Sequence, residues 1–530
     1  MINLLSHYLG RSARAYPDHT AVVAGDESLS YAELDHASDR LAAALAAGGV
    51  RRGDRIGIFT PKSIGAITAI HGILKAGAVY VPIDSSAPAA RAAYIVENCG
   101  IRCMLTTGRQ SGALAEIAGR ARGLERLILL DDAEVDRSVA LPATPWPDVV
   151  SQTATAPPLE NIETDLAYIL YTSGSTGVPK GVMISHLNAR TFVEWARETI
   201  GVTEQDRLSS HAPLHFDLSI FDIFVAFASG ATLVLVPEGL SSFPFRLAEW
   251  VERQRISVWY SVPTILSMLV RSGDLARFRY EHLRTVIFAG EVFPVKYLRD
   301  LMSAVPNATY WNFYGPTETN VITYYRVPAL APDRTVPIPI GIPCENIEVF
   351  AIAEDGGRVG RPGDAGELYA RGSCVAQGYW GDEEKTARGF VANPIGRGFR
   401  ETVYRTGDIV TIDETGNYLF LGRRDDMVKS RGYRIELGEV ESALYRHERV
   451  REAAVVAVPD AAIGNRLVAF VVMEEGSGLG VRDLQDFCAG SVPRYMVPDG
   501  IEFRDQLPKT STGKVDKAAL ARSADTAPSP

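Results

Sequence analysis

The sequence predicts an α/β protein with a large N-terminal domain, residues 1–424, and a small α+β C-terminal domain, residues 425–530. A chain of 530 residues is longer than a single hydrophobic core usually supports, so two or more domains are expected. Over the larger part of the chain, apolar segments of strand length alternate with amphipathic segments of helical length, which indicates parallel sheets covered by helices. Short strands with Gly-rich turns over 347–421 indicate an antiparallel β subdomain.

The first α/β units can be followed along the chain. Residues 29–47 carry apolar side chains at helical spacing behind Ser30, which predicts a helix with this serine as its N-cap. Strands are predicted over 54–59 and 78–83, with a helix over 62–76 between them. The same texture recurs at 92–105, 124–130, 246–260 and 283–304.

The C-terminal residues form a separate pattern. After a charged segment at 422–426, a helix is predicted over 437–447, strands over 452–458 and 466–473, and a helix over 481–489. This is the outline of a small α+β domain.

Composition excludes several classes of function. The net charge of −10 argues against nucleic acid and against an anionic membrane as partners. No apolar run has the length of a membrane span, and the first residues lack the pattern of a signal peptide, so a cytoplasmic protein is expected, most simply a monomer. The five cysteines have no zinc-ligand or redox spacing and are expected to be buried thiols.

The segment Tyr171-Thr-Ser-Gly-Ser-Thr-Gly-Val-Pro-Lys-Gly181 carries the clearest chemistry. Hydroxyls, bare backbone N–H groups and a lysine suit phosphate oxygens, and glycine lets the chain close around them. A P-loop would place its lysine after the last glycine and before a helix, whereas Lys180 precedes Gly181 and a strand-like run. A flexible surface loop is the alternative interpretation of this segment taken alone.

Read whole, this segment resembles the phosphate loop of the adenylate-forming (ANL) superfamily, which includes nonribosomal-peptide adenylation domains, acyl- and aryl-CoA ligases and firefly-type luciferases. Further motifs similar to those of the amino-acid-activating branch follow in the family's order, and together they cover nearly the whole chain. They lie at 74–84, 312–318, 366–372, 378–380, 404–408, 422–439, 494–498 and 507–514.

The resemblance implies ATP and Mg²⁺ as cofactors and assigns roles to individual residues. The implied catalytic residues are Lys514, Thr317 and Glu318, with Glu318 as the Mg²⁺ ligand and Asp425 as a hinge on which a mobile C-terminal domain rotates. The implied ATP-binding residues are Thr172, Ser173, Gly174, Ser175, Thr176, Gly177, Lys180, Gly290, Asn312, Tyr314, Asp408, Arg423 and Lys514.

These residue types fit the chemistry. Mg²⁺ prefers a hard oxygen donor such as Glu318, an aromatic face such as that of Tyr314 suits adenine, and a carboxylate such as Asp408 can accept both ribose hydroxyls. Taken alone, Asp408 is a turn residue, Arg423 a solvated arginine and Lys514 an ordinary loop lysine.

Asp217 distinguishes the amino-acid-activating branch. Apolar residues surround it in sequence, so a buried carboxylate there needs a cationic partner, and in the resembling enzymes the matching Asp holds the substrate's α-ammonium. The alternative is an Asp that caps a helix beginning near Leu218. The family's substrate pocket, carried over residue by residue, comprises Asp217, Leu218, Phe221, Tyr260, Ile287, Ala289, Phe313, Val321 and Ile322, with Lys514 at its other end.

Bulky side chains in an otherwise apolar lining predict a shallow pocket for a small neutral amino acid, alanine-like, with glycine, serine or proline possible. We therefore expect a stand-alone enzyme of natural-product biosynthesis that forms an aminoacyl-AMP and passes it to the phosphopantetheine arm of a carrier protein in trans. The alternatives are a D-alanine–carrier protein ligase of teichoic acid synthesis, an acyl- or aryl-CoA ligase, and a non-catalytic nucleotide-binding protein.

Overall fold

The computed structural model describes residues 2–151, 156–173, 178–334, 336–396, 398–423, 427–474, 478–508 and 515–525. Its strands are β1 (Thr20–Ala24), β2 (Glu27–Ser30), β3 (Arg55–Phe59), β4 (Val79–Pro82), β5 (Cys103–Thr106), β6 (Arg126–Leu129), β7 (Ala143–Thr144), β8 (Leu166–Thr172), β9 (Lys180–Ser185), β10 (Arg207–Ser210), β11 (Thr232–Leu235), β12 (Val258–Ser261), β13 (Thr285–Ala289), β14 (Thr309–Tyr314), β15 (Thr323–Val327), β16 (Ile342–Pro343), β17 (Glu348–Ile352), β18 (Ala365–Arg371), β19 (Phe390–Ala392), β20 (Thr402–Ile412), β21 (Tyr418–Arg423), β22 (Met427–Ser430), β23 (Tyr433–Glu436), β24 (Val450–Asp460), β25 (Gly464–Met473) and β26 (Gly500–Phe503).

The α-helices are α1 (Ser6–Ala15), α2 (Tyr31–Ala47), α3 (Ile64–Lys75), α4 (Ala89–Cys99), α5 (Ser111–Arg120), α6 (Trp146–Val150), α7 (His186–Ile200), α8 (Ala226–Ser229), α9 (Pro244–Arg253), α10 (Pro263–Ser272), α11 (Val295–Ala304), α12 (Glu383–Gly389), α13 (Leu437–Tyr445), α14 (Val481–Ala489) and α15 (Lys517–Asp525). A π-helical turn spans Phe221–Val225, and 3₁₀ turns span Gly108–Gln110, Leu240–Ser242, Leu275–Arg277 and Arg494–Met496.

Two large sheets with parallel centres form the main body. One has the strand order β7-β6-β5-β3-β4-β8-β9, and only its last pair, β8 with β9, is antiparallel. The other has the order β16-β15-β14-β13-β12-β10-β11-β1-β2, with antiparallel pairs at both edges. Helices cover these sheets, as the alternating sequence pattern predicts.

Helix α2 shows how closely the local pattern fixes an element. The Ser30 side chain accepts the backbone N–H of Glu33, whose carboxylate accepts the N–H of Ser30, so a capping box begins the helix at Tyr31. The buried side chains of the helix face α3, so the predicted helix over 29–47 is confirmed with a start two residues later.

The predicted β subdomain is confirmed. Strands β17, β18, β20 and β19 pair in that order, β21 joins β20, and all these pairs are antiparallel. One register pair places Asp408 opposite Arg423. This sheet therefore brings together two residues that lie 15 positions apart and that both have an implied role in binding ATP.

The C-terminal residues form the predicted α+β unit. The hairpin β22–β23 leads into α13, and β24, β25 and β26 form a sheet. The hydrophobic clusters of this unit contain only residues from Val428 onward. The predicted hinge Asp425 and the domain boundary beside it lie outside the described residues, so both stay predictions.

Among the described residues, no helix is long and apolar enough to cross a membrane. The five cysteines are buried and none forms a disulfide.

Candidate active site

Glu318 lies on a tight turn after β14. At Gly315 a Cβ atom would lie 1.6 Å from the carbonyl oxygen of Asn320, and Asn320 itself has φ of 55°, so the turn closes only with glycine at 315. The turn directs Glu318 inward, where its side chain is fully buried.

Four polar contacts hold the Glu318 carboxylate. Arg434 Nη1 donates to Oε1 at 3.0 Å and to Oε2 at 2.9 Å, and the Tyr379 hydroxyl donates to Oε1 at 2.7 Å. Lys180 Nζ lies 3.3 Å from Oε1. Burial would raise the pKa of Glu318, but the positive charges of Arg434 and Lys180 hold it well below its ordinary value. The carboxylate is therefore ionised at neutral pH.

The predicted phosphate loop joins β8 to β9. In the antiparallel register Thr172 lies opposite Lys180, so the two ends of the loop are fixed side by side. Residues 174–177, which include four of the predicted ATP-binding positions, lie outside the described residues. Burial and the Arg434 charge lower the pKa of Lys180 to about 8, although Glu318 opposes the shift.

A second polar cluster surrounds Asp408. The Tyr314 hydroxyl donates to one carboxylate oxygen and Arg423 to the other, and Arg423 also donates to the carbonyl of Thr406 at 3.1 Å. Tyr314, Asp408 and Arg423 are separate predictions from the sequence, and the structure brings them together. Asn312 lies on the same strand as Tyr314, and its amide donates to the carbonyl of Pro339 at 2.8 Å.

The predicted amino-acid pocket is a cavity of about 40 Å³. Five predicted substrate residues line it, together with the predicted ATP-binding residues Gly290, Asp408 and Arg423: Asp217, Leu218, Tyr260, Ala289 and Val321. Phe221 and Phe313 do not line it, but they pack edge-on against the Tyr260 ring, with centroids 5.2 and 6.0 Å away. Ile287 is buried in the same hydrophobic cluster as these rings. Ile322 belongs instead to the cluster of the β subdomain, so the structure does not bring it to the cavity.

Asp217 is the buried carboxylate of this cavity. Burial raises its pKa, while the hydroxyl of Thr317, which donates to Oδ2 at 2.8 Å, opposes the rise. Helical residues begin at Ser219, two positions after Asp217, and continue into the turn at Phe221–Val225. A backbone hydrogen bond from Leu218 also acts on the Asp217 carboxylate, so the helix-capping alternative and the substrate-binding role both stay predictions.

The hairpin β22–β23 of the C-terminal unit enters the site. Lys429 lines the amino-acid cavity and lies over the Tyr314 ring, 5.9 Å from its centroid. The N–H of Gly432 donates to Glu291, and Ser173 Oγ donates to the carbonyl of Arg434 at 2.7 Å. These hairpin residues have no role among the sequence-based predictions. Their positive charge within the motif at 422–439 is the signal that could have identified them.

Lys514 also lies outside the described residues, so its implied catalytic role stays a prediction. The residues that are described fit ATP and Mg²⁺. Within the described part of the chain no group of three or more His, Cys, Asp or Glu side chains could hold a metal. Mg²⁺ in nucleotide sites commonly binds one or two carboxylates and takes its other ligands from phosphates and water, so Glu318 alone suffices.

This fold and this cluster define an adenylate-forming enzyme. The chain belongs to the AMP-binding enzyme family: the model of the AMP-binding enzyme matches residues 9–380, and that of the AMP-binding enzyme C-terminal domain matches residues 439–514. The superfamily predicted from the motifs is thereby confirmed.

Curated relatives and solved structures match nearly the whole chain. It is 41% identical over 523 residues to an L-proline–[L-prolyl-carrier protein] ligase of Pseudomonas fluorescens, covering 98% of this chain and 99% of the relative. It is 38% identical over 507 residues to an enzyme of the same name from Streptomyces coelicolor, covering 95% of this chain and 94% of the relative. The Vibrio cholerae adenylation domain AlmE, solved with glycyl-adenosine-5′-phosphate, matches with a TM-score of 0.84 and 26% identity over 99% of both chains. Both sequence relatives are amino acid–carrier protein ligases by name, which is the class of enzyme that the sequence predicts.

Proposed function

We propose that this enzyme activates a small neutral amino acid as its aminoacyl-AMP and transfers it to the phosphopantetheine thiol of a carrier protein in trans, in natural-product biosynthesis. L-proline is the first candidate substrate, and alanine, glycine and serine follow. The observation that carries this proposal is Asp217, a buried carboxylate in a cavity that Tyr260 also lines. A buried carboxylate without a cationic partner is costly. In this arrangement the charge of Lys429 acts on Asp217 across the cavity, and we propose that the α-ammonium of an amino acid is the partner when the substrate binds.

The aromatic packing beside the cavity supports a small substrate. Tyr260 lines the cavity, and Phe221 and Phe313 pack edge-on against its ring, so the ring has little room to move aside for a longer side chain. A compact apolar side chain, such as the pyrrolidine ring of proline, suits such surroundings better than a charged or extended one. Two relatives are named L-proline–[L-prolyl-carrier protein] ligases, which supports L-proline as the first candidate, ahead of alanine.

In the first half-reaction, a carboxylate oxygen of the amino acid attacks the α-phosphorus of ATP, and the bond to the β-phosphate oxygen breaks to release pyrophosphate. Catalysis of this kind depends on positioning and on stabilising charge. Asp408 is proposed to accept the ribose hydroxyls and Arg423 to contact the ribose or a phosphate, while Lys180 supplies a cation at the phosphate loop. Glu318 would hold Mg²⁺, which supplies positive charge beside the phosphates. Lys514 is proposed to bridge the substrate carboxylate and the ATP oxygens.

In the second half-reaction, the carrier's thiol attacks the acyl carbonyl and AMP leaves. A cavity of about 370 Å³ between the two domains suits an extended phosphopantetheine arm, and it is lined by Asp84 and His215 from one side and by Tyr433 and Arg494 from the other. The stacked rings of Phe216 and Tyr433, with centroids 5.7 Å apart, separate it from the amino-acid cavity. The described arrangement therefore suits the transfer step. We propose that residues 425–530 rotate on Asp425 between the two half-reactions.

Amino-acid-dependent exchange of pyrophosphate into ATP, measured with a panel of amino acids, tests the proposal. L-proline should give the highest kcat/KM, with the other small neutral amino acids next. Preference for D-alanine would favour the teichoic acid ligase. Exchange driven by acids without an amino group would favour a CoA ligase, and no exchange with any acid would favour a non-catalytic nucleotide-binding protein.

A further inference from the structure

Two basic side chains from different domains share one carboxylate. Lys180 from the large domain and Arg434 from the C-terminal hairpin both contact Glu318, and the three side chains are 9%, 13% and 0% exposed. Arg434 contacts both carboxylate oxygens. No other described basic side chain has an ion pair with Glu318.

The position of Arg434 Nη1 conflicts with a metal at the same carboxylate. Mg²⁺ binds oxygen at about 2.0–2.1 Å in a nearly ideal octahedron, and it brings water and phosphate ligands with it. A guanidinium nitrogen 2.9–3.0 Å from both oxygens of Glu318 occupies the space in which that metal and its ligands would lie. Mg²⁺ and the Arg434 guanidinium, both in contact with Glu318, would also repel each other strongly in a buried site.

The same residue touches the phosphate loop. The Arg434 carbonyl accepts the hydroxyl of Ser173, a residue that has an implied role in binding ATP phosphates. When the hairpin is docked, Arg434 therefore contacts both the proposed metal ligand Glu318 and the hydroxyl of Ser173 in the phosphate loop. When the hairpin leaves, both groups become available together.

We propose that Arg434 and the Mg²⁺ of the ATP complex occupy Glu318 in turn, so that the hairpin docks only after the metal has left. Glu318 then keeps a cationic partner in both states, which avoids the large cost of an unpaired buried carboxylate. Arg434 is a positioning residue in this scheme, because it couples the position of the C-terminal domain to the metal. The inference deepens the proposed function and rests on it only for the presence of ATP and Mg²⁺.

The domain position can be followed by fluorescence energy transfer between dyes on Ile162→Cys and Tyr445→Cys. These positions are 57% and 48% exposed, while the native cysteines are buried, so labelling is selective. MgCl₂ is titrated in the presence of α,β-methylene-ATP, which prevents adenylation. In the protein that retains Arg434, we expect the C-terminal domain to undock as Mg²⁺ rises. In Arg434→Met we expect this domain to be undocked already without Mg²⁺, so that the energy transfer does not change further. Arg434→Lys should retain part of the Mg²⁺ response because it retains the charge.

Arg431→Met is the matched control, since Arg431 lies in the same hairpin and pairs with Asp499 rather than Glu318. It should respond to Mg²⁺ as the parent does. A second readout is the affinity for Mn²⁺, measured by electron paramagnetic resonance with the same nucleotide. Arg434→Met should bind Mn²⁺ about tenfold more tightly, because apparent affinity falls with the fraction of protein whose site is occupied by a competitor.

The inference would be overturned if Arg434→Met showed the same change in energy transfer with Mg²⁺ and the same Mn²⁺ affinity as the parent. It would also be overturned if Arg431→Met lost the change in energy transfer with Mg²⁺. Neither readout uses an amino acid or a carrier. An enzyme that activates another acid would therefore give the same result, and failure of the exchange assay would leave this inference standing.

Discussion

The hydroxyl of Thr317 donates a hydrogen bond of 2.8 Å to Asp217, and this contact joins the amino-acid cavity to the turn that carries Glu318. Thr317 and Glu318 are neighbours in sequence, so the two ends of the reacting system are fixed by one short segment. The carboxylate that we propose binds the substrate's ammonium and the carboxylate that we propose binds the metal are thereby held in a defined relation. Such positioning is the main source of catalysis expected for adenylate formation.

Asp217→Asn should lower kcat/KM for every amino acid by more than ~10²-fold, because removal of one partner of a buried charge pair costs about 3–5 kcal/mol.

The raised pKa of Asp217 adds a pH dependence of kcat/KM. A carboxyl with a raised pKa is protonated as pH falls through that value, and it then no longer binds an ammonium. The parent's kcat/KM should therefore fall on the acid side at a pH above the ordinary aspartate range, and Asp217→Asn should lack this limb. Asp217→Glu is the control that retains the charge, and an unchanged limb in Asp217→Asn would assign the titration to another group.

Much of the fold follows from local pattern, and the arrangement of the site follows only in part. Ser30 predicts the start of α2 because a capping box is a local device. The register that places Asp408 opposite Arg423 depends on pairing between strands, which periodicity does not specify. Arg434 could not be assigned to Glu318 from the sequence, because that contact spans 116 residues and depends on where the hairpin docks.

Arg91→Met should impair transfer to the carrier and spare pyrophosphate exchange. Arg91 is buried and pairs with Glu439 across the two domains, in the arrangement in which the hairpin occupies the site. Loss of the pair destabilises that arrangement and leaves the residues implied in adenylation unchanged. Single-turnover loading of a carrier from preformed aminoacyl-AMP measures the effect. Arg102→Met, which removes an exposed pair with Glu125 inside the large domain, is the control, and equal loss of both half-reactions in Arg91→Met would contradict the prediction.

Asp425→Pro should also separate the half-reactions. Proline fixes φ near about −65° and so restricts rotation at the predicted hinge. We expect pyrophosphate exchange near the parent's level and slow loading of the carrier. Asp425→Ala, which keeps backbone freedom, should load the carrier normally. Normal loading by Asp425→Pro would place the pivot at another residue.

Phe313→Ala should admit longer aliphatic amino acids. The Phe313 ring lies between Trp195, 5.2 Å away, and Tyr260, 6.0 Å away, so it supports the Tyr260 ring that lines the cavity. Its strand neighbour Tyr314 instead belongs to the Asp408 cluster, because successive side chains of a strand point to opposite faces. Truncation should therefore change discrimination between amino acids by roughly 1–3 kcal/mol per methylene of fit while the KM for ATP barely moves.

Phe313→Ala also leaves a cavity in the protein interior, and truncations of this kind lower the free energy of unfolding by about 3–5 kcal/mol. Phe313→Leu keeps most of the volume and serves as the folded control, and both variants are compared by pyrophosphate exchange with proline, valine and leucine at several ATP concentrations. An increased KM for ATP with an unchanged order of amino acids would mean that the ring contacts the nucleotide. The small-substrate proposal would then fail, while Asp217 would still identify an enzyme that binds an ammonium.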